Sequence, residues 1–205
     1  DVRQICDLKE MLAASVDRFG DNPAFLRKQD PSSAYQPVSF RQFQSDVNAF
    51  GTALLDLGQQ GMRIAVIGEN QYAWVTTYLA VVNGVGIIVP IDRELPEEEI
   101  TRCLRRAQVR TVVFAESKRE VMRSIAGKLD VVEHWIDMGL ASDEHGFKAF
   151  TGLLARGHDS VDHGRRDYVD ATLDAAAVSI LLFTSATTSE SKAVQLSHRN
   201  LCENL

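Results

Sequence analysis

The chain has 205 residues, 45% of them hydrophobic and 24% charged, with a formal net charge of −6. That balance excludes a disordered, collagen-like or coiled-coil chain and supplies enough length for one sizeable core. With 22 basic residues against 28 acidic ones, a general electrostatic grip on nucleic acid or anionic lipid is excluded too, so an anionic ligand needs a local site.

Leu8, Met11, Leu12, Val16 and Phe19 recur at helical spacing before Gly20 and predict an amphipathic helix. Ala24 to Leu26 and Gln36 to Val38 are short strands that can pair as a hairpin around a polar loop. Ser39 with Gln42 forms a capping-box pattern, and Phe40, Phe43, Val47, Phe50, Leu54 and Leu57 then mark the firmest helix, ending at Gly58. Arg63 to Gly68 reads as a strand buried on both faces, and Asn70 as the cap of a helix ending near Asn83 and Gly84. Gly86 to Ile91 is the next strand. Asn70 to Ile91 carries no charge, but Asn83, Gly84, Gly86 and Pro90 interrupt it, so it reads as a buried helix and strand and not as a membrane span.

Pro96 at a first helical turn, acids at Glu97 to Glu99 and bases at Arg102, Arg105 and Arg106 favour one helix direction through the macrodipole, with a solvated basic end. Thr111 to Phe114 is another buried strand. Ser117 with Glu120 reads as a capping box opening a helix towards Gly127, and Val131 to Ile136 as a strand. From Asp137 the pattern weakens: Phe147, Phe150, Leu153 and Leu154 suggest one short helix, and Gly157 to Asp170 a polar connection. Val178 to Phe183 and Ala193 to Leu196 are strands, after which Ser197 and Asn200 cap a helix start. Alternating strands and helices predict an α/β fold with a largely parallel sheet layered with helices.

Cys6, Cys103 and Cys202 are odd in number and widely spaced, without metal-ligand spacing, which suits free thiols in a reducing, cytoplasmic setting. The charged, amphipathic start is unlike a cleavable signal peptide. Asp1 is not an initiator methionine and Ser197 to Leu205 open a helix without a stop signal, so the chain is expected to be one part of a longer protein. His158 and His163, with Asp159 and Asp162, are spaced by five and do not share a helical face, so no metal site is expected there. His198 beside Ser197 reads as a helix start and not as half of a catalytic pair, and Tyr72, Trp74 and Tyr78 as core or interface groups.

The chemistry is expected where the strand Val178 to Phe183 runs into Thr184-Ser185-Ala186-Thr187-Thr188-Ser189-Glu190-Ser191-Lys192. Hydroxyls and turn N–H groups donate to phosphate oxygens, and the lysine adds positive charge; by composition alone such a loop is more often a solvated turn. No Gly-Lys-Ser/Thr pattern occurs, and Gly84-Val85-Gly86 lacks a third glycine, so neither standard nucleotide-binding loop is present.

The stretch LLFTSATTSESKAVQLSHRNL resembles the phosphate-loop signature of the adenylate-forming enzymes, the AMP-dependent synthetase and ligase superfamily, whose usual form is T-S-G-T-T-G-x-P-K-G-V followed by a serine-histidine-x-asparagine segment. VSFRQFQSDVNAFGTALLDLG and GMRIAVIGENQYAWVTTYLAVVNGVGIIVPIDRELPEEEI also resemble that family's amino-terminal region, so the likeness covers most of Gly20 to Leu205. The SxSKAV form is most like bacterial long-chain fatty acid CoA ligases. The resemblance implies that residues 1–205 are a partial amino-terminal AMP-binding domain, without the rest of the large domain and the small lid domain. It implies attack of a carboxylate, a fatty acid in the first instance, on the α-phosphate of ATP, then transfer of the acyl group to CoA. Thr184, Ser185, Ala186, Thr187, Thr188, Ser189 and Lys192 match the loop that holds the β- and γ-phosphates; it positions the leaving group and neutralises its charge, and no residue here is catalytic.

Ala186, Ser189 and Ala193 stand where glycine is usual and Ser191 where proline is usual. The family's later motifs, including the pair that places magnesium, are missing, so magnesium ligands are expected outside this chain and the chain alone is expected to be inactive. The alternatives are a non-catalytic nucleotide-binding relative, a stand-alone α/β interaction module, and an enzyme acting on aryl or amino acids. The sequence also leaves room for self-association and for peripheral contact with a membrane surface.

Overall fold

A computed structural model of the chain describes residues 4–28, 32–184 and 192–203. Helix α1 (Leu8–Phe19) starts at Asp7, whose carboxylate accepts the Glu10 N–H at 2.7 Å, and buries Leu8, Leu12 and Val16. Strands β1 (Pro23–Arg27) and β2 (Gln36–Ser39) pair antiparallel as the expected hairpin, apart from the main sheet. Ser39 caps α2 (Phe40–Asp56) by accepting the Gln42 N–H at 3.1 Å. The Gln42 amide does not return to close the box; it donates to Asp46 at 2.7 Å.

The main sheet has seven strands: β3 (Arg63–Ile67), β4 (Ile87–Ile91), β5 (Thr111–Phe114), β6 (His134–Asp137), β7 (Phe147–Ala149), β8 (Val178–Thr184) and β9 (Lys192–Ser197). Their order is β7-β6-β5-β3-β4-β8-β9, and every neighbouring pair is parallel except β8 with β9. Alternate side chains enter opposite cores. Ile64, Val66, Ile88, Val113 and Ile180 pack with α1, α2, α3 (Tyr72–Ala80) and α6 (Phe150–Asp162). Ala65, Ile67, Val89, Val112 and Phe114 pack with α4 (Glu97–Arg106) and α5 (Arg119–Ala126). This is the predicted α/β architecture, a mostly parallel sheet with a helical layer on each face.

Other local readings also differ from the structure, β6 starting at His134 and not at Val131. The cap of α3 is Gln71, whose side chain makes no capping bond, and not Asn70; a short π-helical turn, Val81–Val85, then leads to β4. Pro96 is the cap residue of α4 and not its first helical residue. A 3₁₀ turn, Glu116–Lys118, precedes α5, because the Ser117 hydroxyl donates to Glu69 at 2.7 Å instead of capping the helix. Phe147–Ala149 is a strand pairing with β6, and α6 continues through Gly157 to Asp162, where a polar connection was expected.

The reason for the last difference is tertiary. A Cβ at Gly157 would lie 1.8 Å from the Ala49 carbonyl oxygen, so this glycine lets α6 approach the backbone of α2 and is not a helix breaker. The next residue, His158, reaches the buried Asp46 on α2 at 2.8 Å.

Candidate functional site

The carboxyl ends of β3 and β4 are adjacent, yet the chain leaves β3 for α3 on one face of the sheet and leaves β4 for α4 on the other. Connections that diverge in this way leave a crevice at the carboxyl-end rim of a parallel sheet. Here it has a volume of about 610 Å³ and is lined by Gly68, Glu69, Asn70 and Trp74 after β3, by Pro90 to Arg93 at the end of β4, and by Leu182 and Phe183 on β8. Gly68 has φ +147°, and a Cβ there would meet the Ala115 Cβ at 2.3 Å, so only glycine allows the chain leaving β3 to pass this close to the end of β5.

The charges of the crevice are partly tied to one another. Glu69 accepts the Ser117 hydroxyl, and Arg93 lies 3.4 Å from Glu69 and 2.9 Å from Glu94. The Ser117 hydrogen bond, then the Glu69 backbone N–H, then Arg93 and Lys118 hold the Glu69 carboxyl below its ordinary range despite some desolvation. Trp74 stacks on Tyr78 with ring centroids 5.5 Å apart, giving the crevice an aromatic wall.

Strand β8 runs parallel to β4, so Thr184 ends on this same rim. Thr184 and Lys192 are the last register pair of the β8–β9 ladder, and both are exposed. Residues directly opposite in an antiparallel pair project to one side, and that side repeats every second residue. Ile180, Leu182 and Leu196 pack into the core that contains α3, so the register places Thr184 and Lys192 on the α3 side, above the crevice. Ser185, Ala186, Thr187, Thr188 and Ser189, the remaining predicted phosphate contacts, lie outside the described residues.

The other candidates have structural partners. Asp46, 6% exposed, accepts from Gln42 and His158 on one oxygen and from the Tyr72 hydroxyl at 2.6 Å on the other, joining α2, α3 and α6. Burial, then the Asp46 carboxylate, push the Tyr72 hydroxyl well above its usual range, so it stays a donor. His163 caps the end of α6 against Asp159. His198 is buried and makes hydrogen bonds only to backbone groups among the described residues. Cys6 and Cys202 are free, as is the buried Cys103. Among the described residues there is no group of three or more His, Cys, Asp or Glu that could hold a metal ion. No helix of the described residues is long and apolar enough to cross a membrane.

Sequence reasoning missed Glu69 and Arg93 as crevice residues and read Trp74 as core or interface first, with a place bordering an acyl pocket as the lesser alternative. Their one legible signal is position: each follows the end of a buried strand, where open parallel sheets bind ligands.

Relatives share this architecture. The chain is 23% identical over 200 residues to the long-chain-fatty-acid–CoA ligase ACSBG2 of Rattus norvegicus, a match covering 95% of this chain and 29% of that ligase. Among solved structures, a long-chain-fatty-acid-CoA ligase, FadD1, from Archaeoglobus fulgidus superposes with a TM-score of 0.80 at 20% identity, over 100% of this chain and 39% of the other. The anthranilate CoA ligase AuaEII, in complex with anthranoyl-AMP, gives a TM-score of 0.79 at 21% identity, over 98% and 36% of the two chains. A family model described as AMP-binding enzyme matches residues 12–205, which places nearly the whole chain inside one family: the chain belongs to the AMP-binding enzymes.

Proposed function

We propose that this chain supplies the phosphate-binding hairpin and the adjoining rim crevice of an ATP-dependent acyl-CoA synthetase. The observation that carries this reading is the pairing of Thr184 with Lys192 across the tip of an antiparallel hairpin on the same rim as the crevice. In the proposed reaction a carboxylate attacks the α-phosphate of ATP and pyrophosphate leaves; CoA thiol then displaces AMP. The Thr184 hydroxyl donates to a phosphate oxygen and the Lys192 ammonium offsets charge on the departing pyrophosphate, so the hairpin acts by positioning and electrostatics. Ser185 to Ser189 complete the loop in this proposal. No step is routed through magnesium, whose ligands are proposed to lie outside this chain.

A fatty acid is the proposed carboxylate, supported by the long-chain ligases among the relatives; the anthranilate ligase keeps aryl acids as the competing class. Three free cysteines support work in a reducing cytoplasm. Alanine or serine where glycine and proline are usual favours a second reading, a relative that binds nucleotide without turning it over. ATP-dependent pyrophosphate release by the full-length protein, screened against fatty, aryl and amino acids, separates these readings. Release with fatty acids supports the proposal, release only with another class replaces the substrate, and ATP binding without release favours the second reading.

A further inference from the structure

We infer that His198 is a positioning residue that fixes the base of the β8–β9 hairpin, and through it the place of Lys192 at the tip. This inference rests on the proposed role of the hairpin in holding phosphate.

His198 is 2% exposed and both of its ring nitrogens are used. The Leu8 N–H, at the start of α1, can only donate, so Nδ1 accepts from it at 3.1 Å. The Val82 carbonyl, in the π-helical turn before β4, can only accept, so Nε2 carries the proton and donates to it at 2.9 Å. The backbone that carries the ring is itself fixed. Ser197 and Asn200 close a full capping box, with Ser197 N–H donating to Asn200 at 3.0 Å and Asn200 N–H to Ser197 at 3.3 Å. The Arg199 N–H donates to the Ala175 carbonyl at 2.9 Å, which ties the end of the hairpin to the turn that precedes its first strand.

The second strand of the hairpin depends on this base because only β8 is joined to the parallel sheet, and four of the six residues of β9 are exposed. Among the described residues, Ile88 with Ile180 is the single register pair joining β4 to β8. From Ser197 to Lys192 there are five residue steps, about 17 Å at the usual rise of an antiparallel strand. A rocking of about 5° at the base therefore moves the tip by about 1.5 Å, and misplacement of about 1 Å can cost a reaction on the order of 100-fold. A buried imidazole between two fixed backbone groups resists that rocking, whereas apolar packing alone tolerates it.

The two halves of the tie can be cut separately in the full-length protein. His198→Asn keeps an acceptor near Nδ1, His198→Gln keeps a donor near Nε2, and His198→Ala removes both. The readouts are amide hydrogen exchange along β8 and β9, and the KM values for ATP and for the carboxylic acid, at a temperature where circular dichroism shows each variant folded. We expect His198→Ala to speed exchange in both strands and to lower kcat/KM for ATP by about 10- to 100-fold while the KM for the acid changes by less than about 2-fold. His198→Asn and His198→Gln each recover part of the loss. Unchanged β9 exchange in the folded conservative variants, or an equal rise in both KM values, overturns the inference. A wild-type protein that never uses ATP overturns the proposed function instead, and the exchange data still decide whether His198 holds the hairpin.

Discussion

The ladder formed by β5, β3 and β4 and the hairpin formed by β8 and β9 are both read from aliphatic runs, but they are held in different ways. Every residue of β5 and four of the five in β3 are buried, with helices over both faces. In β9, four of six residues are exposed, and Val194 shows 39% of its surface. Burial of apolar area, worth roughly 25 cal/mol per Å², fixes the ladder. The hairpin shares that burial only along β8; β9 is fixed by its register with β8 and by the backbone ties around His198. Substitutions in the ladder and its helical layers should therefore unfold the protein, and substitutions in the hairpin should change what it binds.

The strongest test on the sheet side is Arg119→Ala. Asp137, fully buried at the end of β6, accepts from Arg119 at 2.5 Å and 3.3 Å and from the Gly139 N–H at 2.7 Å. Removing the guanidinium leaves a buried carboxylate without its ion partner, so urea denaturation should show a loss of about 3–5 kcal/mol. Gly157→Ala comes next, because its new methyl must displace the α2 backbone; a loss of about 2–3 kcal/mol is expected in the same measurement.

A smaller effect belongs to the crevice. The Glu69 carboxyl is held below its ordinary value of 4.5, first by Ser117, so its contribution is present above that value and fades as pH falls through the lower folded value. With Glu69 partly exposed, Glu69→Gln should cost less than about 1 kcal/mol at pH 6, and the gap from wild type should close as the pH falls below the ordinary value. A gap that widens on acidification reverses the sign assigned to Glu69. Smallest of all, Val194→Thr at an exposed position of β9 should alter stability by under about 0.5 kcal/mol. If it costs as much as Gly157→Ala, the contrast between ladder and hairpin fails.

The alternation of strands and helices was legible because a parallel strand buried on both faces leaves a continuous aliphatic run, as in Arg63 to Gly68 and Thr111 to Phe114. The capping box at Ser197 and Asn200 was equally local and is present in full. Gly157 misled because its meaning depends on the Ala49 backbone, more than 100 residues away in sequence, while Ser117 forms its bond to Glu69 across the rim and not within its own helix. The crevice was illegible for a similar reason: three segments far apart in the chain line it, and none carries a motif on its own. His198 was read as a helix start, which it is, but its two backbone partners could not be inferred from spacing. Of the predicted loop, Thr184 and Lys192 are an exposed register pair at the sheet rim, and the expectation that the loop binds phosphate comes from sequence alone.

The central claim is that the hairpin tip binds the phosphates of ATP. Isothermal titration of ATP into the full-length protein and its Lys192→Ala variant, with thermal unfolding of both, tests it most directly. The account predicts at least about a tenfold weaker affinity for the variant, the loss of roughly 1.4 kcal/mol or more, with an unfolding temperature unchanged because Lys192 is exposed. Equal affinities for the two proteins would contradict it.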